Sequence, residues 1–341
     1  MMMPKTRLLT CIKKSVRDIH LMELEKRFLA LAVGGMDRKI TLFSLDGEKL
    51  WDLDFPGWVN RILSINDNIL VADKSGVLAL ISKDGCLIRA RRFDSSIYSL
   101  CVFDVDGDEM DEVIVGTEDG DTYILDYEFK RKVRIKGEGT TSVIVADEES
   151  RSLFIGHFGG LLQKFQWKNK IKEFNFGESV YVLYINDIND DGMKEVLVGG
   201  RPPFLMIMNH DLGLIATKGT KASILAITDA ETQWGKAILI GCRTGLFWAI
   251  DVNTLREIFV RDLLEPITQF LHADVNKDGS SEIIISNWTR LHVINRALAR
   301  IAAFEAKPEW IKKILVYDVD DDNFPELIVG LSNGDIFLID F

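Results

Sequence analysis

Short apolar runs recur along the whole chain, each closed by a small residue and a turn. They are LALAVGG (29–35), ILVADKSG (69–76), EVIVG (112–116), LFIGHFGG (153–160), EVLVGG (195–200), ILIGCRTG (238–245), EIIIS (282–286) and ELIVG (326–330). Placing their small residues in register aligns Gly34, Ala72, Gly116, Gly156, Gly199, Gly241, Ser286 and Gly330. The spacings are 38, 44, 40, 43, 42, 45 and 44 residues. This is the period of a four-stranded propeller blade, ~40–45 residues. Eight copies of the unit predict a single all-β propeller domain over residues 1–341.

The third unit shows the internal pattern. SIYSLCVF (96–103), EVIVG (112–116), TYILD (122–126) and KRKVRIK (130–136) read as four strands, a to d, separated by Asp and Gly turns. Alternating and β-branched runs of this length are strand signals, and no helical period of comparable length competes with them. The eighth unit stops at Phe341 after its third strand, DIFLIDF. At the other end TRLLTCIKKS (6–15) is similar to the d segments KLWDLDF and CLIRARRF. The eleven residues after Gly330 and the first 34 of the chain together span 45, which fits the period. Residues 6–15 are therefore expected to complete the last blade and close the ring, which removes exposed strand edges. The alternative is an open or seven-bladed array with a stray hairpin.

Four units carry an acidic loop between strands a and b. Its first, third, fifth and ninth positions are Asp104, Asp106, Asp108, Glu112; Asp187, Asn189, Asp191, Glu195; Asp274, Asn276, Asp278, Glu282; and Asp318, Asp320, Asp322, Glu326. All sixteen offer hard oxygen donors, and the residues between them vary. Ca²⁺ takes 6–8 oxygens at ~2.3–2.6 Å, and closely spaced side chains in a tight loop supply them. Gly192 and Gly279 at the sixth position permit a sharp turn and make the 187–195 and 274–282 loops the best candidates. Glu109 fits that position worst, so the first loop is the weakest candidate. The competing reading is a set of Asx-turn loops tied by side-chain hydrogen bonds without metal.

Charge fits either reading. The 341 residues carry 41 Lys and Arg against 52 Asp and Glu, a formal net charge of −11. Four Ca²⁺ would bring it to −3. The balance argues against non-specific nucleic-acid binding, which needs a basic face. Cys11, Cys86, Cys101 and Cys242 form no CxxC; three of them sit in apolar segments, and small buried thiols in a reducing compartment are expected. No segment approaches the ~18 apolar residues of a membrane span, and MMMPKTRLLTCIKKS lacks the apolar run of a signal peptide. These features predict a cytoplasmic protein.

The pattern D-x-[DN]-x-D-G-x-x-E, followed by three apolar residues and Gly, resembles the FG-GAP repeat of integrin α-subunit propellers. The resemblance covers four of the eight units. It implies a β-propeller with Ca²⁺ in the a–b loops of one face. The units are also similar to the intracellular propellers of Bardet–Biedl (BBSome) subunits, which are cytosolic scaffolds. Glu at the ninth position, and the lack of stalk domains or a membrane anchor, depart from the integrin pattern.

Catalytic motifs are not evident. The five histidines show no HExxH or paired-ligand spacing, and no GxSxG, GxxxxGK[ST] or GxGxxG occurs. The face opposite the acidic loops is expected to carry Trp58, Phe158, Pro202-Pro203-Phe204, Trp288 and Trp310 in turns, as partner anchors or as wedges between blades. The sequence thus points to a non-catalytic scaffold for other proteins. A carbohydrate-active enzyme or lectin on a propeller is the alternative.

Overall fold

The computed structural model describes residues 4–25 and 28–341, and the described residues contain strands and turns but no helix. Thirty-two strands form eight separate four-stranded antiparallel sheets. Seven blades follow the chain directly, each running a-b-c-d. Blade 3, for example, pairs Ile97–Phe103, Glu112–Thr117, Thr122–Leu125 and Arg131–Ile135 in that order. These boundaries agree with the sequence pattern within about two residues.

The last blade is composite. Ile311–Tyr317, Glu326–Leu331 and Asp335–Asp340 supply strands a to c, and Lys5–Cys11 from the start of the chain supplies strand d. Lys5 pairs with Asp340 and Cys11 with Asp335. The ring therefore closes with eight blades, and neither the open nor the seven-bladed alternative survives.

Packing explains the repeated small residue. The b strands are buried along most of their length, and throughout in Glu112–Thr117 and Ser152–His157, because they lie between two neighbouring sheets. The d strands face water, as in Asn169–Asn175. A Cβ added at Gly34 would lie 2.2 Å from Val59 Cγ1, and one at Gly330 would lie 2.7 Å from Val16 Cγ1. Gly156 meets Val180 and Gly199 meets Ile224 in the same way. Each glycine thus receives the first residue of the next blade's a strand, and Gly330 performs this at the closure. Buried Asp18 adds a polar tie. Its carboxylate accepts the amide of Ile62 at 2.9 Å and pairs with Lys313 Nζ at 3.1 Å, joining blades 8, 1 and 2.

The cysteines divide. Burial pushes the Cys242 thiol up to about 12 and the half-buried Cys101 thiol up to about 11. Cys11 and Cys86 are exposed, contrary to the expectation of small buried thiols, because one lies on an outermost strand and the other in a c–d turn. All four are free.

Candidate cation loops and the opposite face

The four acidic loops share one backbone. Their fourth residues (Gly107, Asp190, Lys277, Asp321) and sixth residues (Glu109, Gly192, Gly279, Asn323) all take positive φ, between 60° and 85°. Glu109 adopts φ 67° despite its side chain. A left-handed residue other than Gly costs about 1–2 kcal/mol, and the loop offsets this with side-chain hydrogen bonds. Asp187 accepts the amides of Asp191 (3.1 Å) and Gly192 (2.7 Å). Asp274 and Asp318 accept the equivalent pairs, and Asp104 accepts Gly107 and Glu109. Asp108, Asp191, Asp278 and Asp322 each accept the amide two residues on. These are Asx-type turns, and they account for part of the fixed spacing.

They do not use every oxygen. Glu112, Glu195, Glu282 and Glu326 are buried, and each gives one oxygen to the amide of the loop's second residue. Burial raises the pKa of all four glutamates. A buried carboxylate in this state favours a nearby positive charge.

What faces the second oxygen differs between loops. In the first, carboxylate oxygens of Asp104, Asp106 and Asp108 lie within 4.8 Å of one another. Lys132, from strand d of the same blade, projects its ammonium into this loop, 2.9 Å from Asp106 and 2.5 Å from Glu112. In the second and third, the Asn189 amide donates to Asp191 (3.1 Å), and the Asn276 amide donates to Asp278 (2.9 Å) and Glu282 (2.7 Å). Lys236 also donates to the Asp187 carbonyl and to Asp190 beside the second loop. In the fourth, oxygens of Asp318, Asp320 and Glu326 converge within 4.8 Å. Among the described residues no lysine or arginine forms an ion pair with these three; Lys277 pairs with Asp322 at the rim, at 2.9 Å. The donor set for a hard cation is therefore fullest at the fourth loop. The glycine pattern had favoured the second and third.

A second polar cluster lies beside the second loop. His210 Nε2 is 2.9 Å from Asp147 and 3.3 Å from Ser150 Oγ, in a cleft of about 510 Å³ that also reaches Asp191 and Glu195. The cluster contains the residue types of a hydrolytic triad, but its geometry is different. Asp147 and Ser150 both face the same ring nitrogen, and Ser150 donates to Asp147. The ammonium of buried Lys164 occupies Nδ1 at 3.0 Å and also binds Asp211. The imidazole has no free acceptor with which to activate Ser150. The cluster ties blade 4 to blade 5: Lys194 reaches Asp147 at 2.5 Å. Burial alone would raise the Asp147 pKa, but hydrogen bonds from Lys194, Ser150 and His210 outweigh it and hold it at about 2.

The d–a and b–c turns open on the other face. Trp288 and Trp310 stack there, 5.3 Å apart at 25°, and both are about half exposed. Trp58 is similarly exposed, beside Lys74. Phe158 makes edge contacts with Tyr98 (5.3 Å) and Tyr181 (5.8 Å). Phe204 begins a c strand and packs on Phe176 at 5.3 Å, while Pro202 is buried and Pro203 exposed. The three tryptophans are thus surface groups, whereas Phe204 belongs to the blade's packing. Sequence reasoning missed Lys132 and Lys74 at these sites, since a lone lysine in a strand or a turn carries no motif.

Comparison with known proteins returns folds. No family model matches the chain, and no curated protein matches it. Solved structures do. Saccharomyces cerevisiae Sqt1 is 14% identical over 98% of both chains, with a TM-score of 0.79. The C-terminal WD40 domain of Sif2 is 13% identical over 98% of both chains, with a TM-score of 0.76. BBS1N, solved in complex with ARL6DN, is 14% identical over 99% of this chain and 95% of that one, with a TM-score of 0.62. At these identities the likeness is one of fold: an eight-bladed β-propeller. No helix among the described residues is long and apolar enough to cross a membrane.

Proposed function

We propose that this chain is a non-catalytic, FG-GAP-like interaction propeller that binds Ca²⁺ in its acidic a–b loops and receives partner proteins on the opposite face. The observation that carries the reading is the convergence of Asp318, Asp320 and Glu326 oxygens within 4.8 Å, with no ion pair to a protein cation at these three among the described residues. The common backbone of all four loops supports it, as does the raised pKa of the four buried glutamates, which a divalent ion would relieve. The fourth loop is the principal site. The second and third can follow if the Asn189 and Asn276 amides turn their oxygens inward. The first holds Lys132 in place of a metal. The exposed Trp58, Trp288 and Trp310 are the anchors for partners. BBS1N, which is similar to this chain in fold, was solved in complex with ARL6DN, and we place this chain in the same class of use, in a reducing cytoplasmic setting.

Calorimetry and melting curves in Ca²⁺, Mg²⁺ and EDTA test the metal. Ca²⁺ is expected to give a heat of binding and to raise the melting temperature by mass action, and the D318N/D320N/E326Q variant is expected to lose most of both. No heat and no shift at millimolar Ca²⁺ would leave the hydrogen-bonded turns as the whole account. Affinity capture from the native cell, with W58A/W310A as the control, tests the interaction role.

A further inference from the structure

The face carrying the tryptophans also carries an uncompensated cluster of cations. Arg17, Arg61 and Lys312 lie at the start of the a strands of blades 1, 2 and 8, and Lys74 lies in the b–c turn of blade 2. These blades are consecutive around the closure. Arg17 Nη2 donates to Asn60 Oδ1 at 3.0 Å, and Arg61 Nη1 to the carbonyl of Asn60 at 3.4 Å, so one asparagine holds both guanidinium groups. Lys74 Nζ lies over the Tyr98 ring at 4.6 Å, and Lys312 Nζ over the Trp310 ring at 4.8 Å. Among the described residues, none of the four forms an ion pair. This is unusual in a chain of net charge −11, where most other partly buried cations are paired.

The cations also feel one another. Burial lowers the pKa of Lys74, which Glu118 opposes and Arg17 and Arg61 reinforce; burial and Arg17 lower that of Lys312. Burial and Arg61 lower that of Arg17. Four half-buried like charges have only two carboxylates near enough to oppose them, Glu118 at Lys74 and Asp18 at Arg17, and Asp18 is already paired with Lys313, so the cluster is a standing cost to the fold. An anionic ligand removes that cost. The aromatic groups are interleaved with the charges: Trp58 and Arg38 share a cleft of about 390 Å³ with Lys74 and with Glu118, its one carboxylate, and the Trp288–Trp310 stack adjoins Lys312.

We infer that the inner rim of this face is a docking site for an acidic peptide segment of a partner protein, carboxylates on Arg17, Arg61, Lys74 and Lys312 and apolar side chains on Trp58 and the Trp288–Trp310 stack. The alternation of cations with flat apolar groups fits a polypeptide carrying both acidic and apolar side chains. Carboxylates and guanidinium groups match in geometry. This deepens the interaction reading above and rests on it.

The test uses the full chain and a fluorescein-labelled dodecapeptide of nine glutamates and three phenylalanines, with Gln-for-Glu and Lys-for-Glu versions, inorganic tripolyphosphate and a dodecanucleotide single strand. The glutamate peptide is expected to bind at least about tenfold more tightly than the glutamine peptide, and the lysine peptide not at all. The R61Q/K74Q variant is expected to lose about tenfold or more in affinity while melting at or above the wild-type temperature, because repulsion is relieved. K168Q/K170Q, at the outer edge of blade 4, removes the same charge and is expected to change affinity less than about twofold. Equal binding of the glutamate and glutamine peptides overturns the proposal, as does an equal loss in both double variants. Tight binding of tripolyphosphate or the oligonucleotide without the glutamate peptide overturns it in favour of a phosphate site. An R61Q/K74Q chain that melts well below wild type marks the cations as structural and overturns it too. The parent reading fails separately, in the capture experiment. Partners recovered there with no acidic-peptide preference here would leave the scaffold standing and remove only this site.

Discussion

Lys132 Nζ lies 2.5 Å from Glu112 Oε1, at the base of the first acidic loop, and the glutamate is fully buried. The lysine comes from the outer strand of the same blade and also reaches Asp106. One ammonium thus occupies the position that a metal takes in the proposed sites. Removing it exposes the need it meets. The K132M variant in EDTA is expected to lose about 3 kcal/mol in urea denaturation, the usual cost of orphaning a buried charge. Millimolar Ca²⁺ is expected to restore most of the loss, since Asp104, Asp106 and Asp108 then face an open site. A variant that is destabilised but gains nothing from Ca²⁺ beyond the wild-type response would show that this loop takes no metal.

Closure depends on the first strand. Lys5–Cys11 covers the edge of Asp335–Asp340. Deleting residues 1–14 uncovers that edge and also removes Leu9 and Ile12 from the packing between blades 8 and 1. The truncated chain is expected to melt at a lower temperature, less cooperatively, and to aggregate. Calorimetric scanning beside light scattering reads both effects, and a truncated chain that melts like the parent contradicts the closure argument.

Asp147 gives a pH signature. Its pKa in the folded protein is about 2, against an ordinary value of 3.8. A carboxyl depressed by folding contributes stability that is fully present above 3.8 and is lost as the pH falls through about 2. The D147N variant should therefore be less stable than wild type at pH 7 by roughly 2–3 kcal/mol, and the gap should narrow as the pH falls from 3.8 toward 2. Urea midpoints at pH 7, 4 and 2 measure it, and a gap that stays constant would contradict the assignment.

Trp310 distinguishes surface from core. The ring stacks on Trp288 and remains about half exposed. W310A is expected to cost folding about 1–2 kcal/mol, the stack plus partial area. A wedge between blades would cost about 3–5 kcal/mol. A thermal melt that shows the larger loss would return Trp310 to the core.

Strand order, blade number and the composite last blade were legible because each rests on a local or periodic signal. Gly34, Gly156 and Gly330 fall in register, since one steric requirement, room for the next blade's first residue, recurs at the six interfaces where the position is glycine. The spacing of Asp187, Asn189, Asp191 and Glu195 was legible for the same reason: one loop conformation binds them. What occupies each loop was not legible. Lys132 lies 20 residues after Glu112 and reaches the first loop only because strand d runs beside strand c in the same blade. Nor does any sequence pattern distinguish Trp310, which stays in water, from Phe204, which packs on Phe176. Arg17, Arg61, Lys74 and Lys312 come from three blades, and Lys312 lies 295 residues from Arg17. Local pattern determined the repeat and the loop, because both obey short-range geometry. The tertiary ring decided which charges meet, because it alone brings distant strands to a common axis.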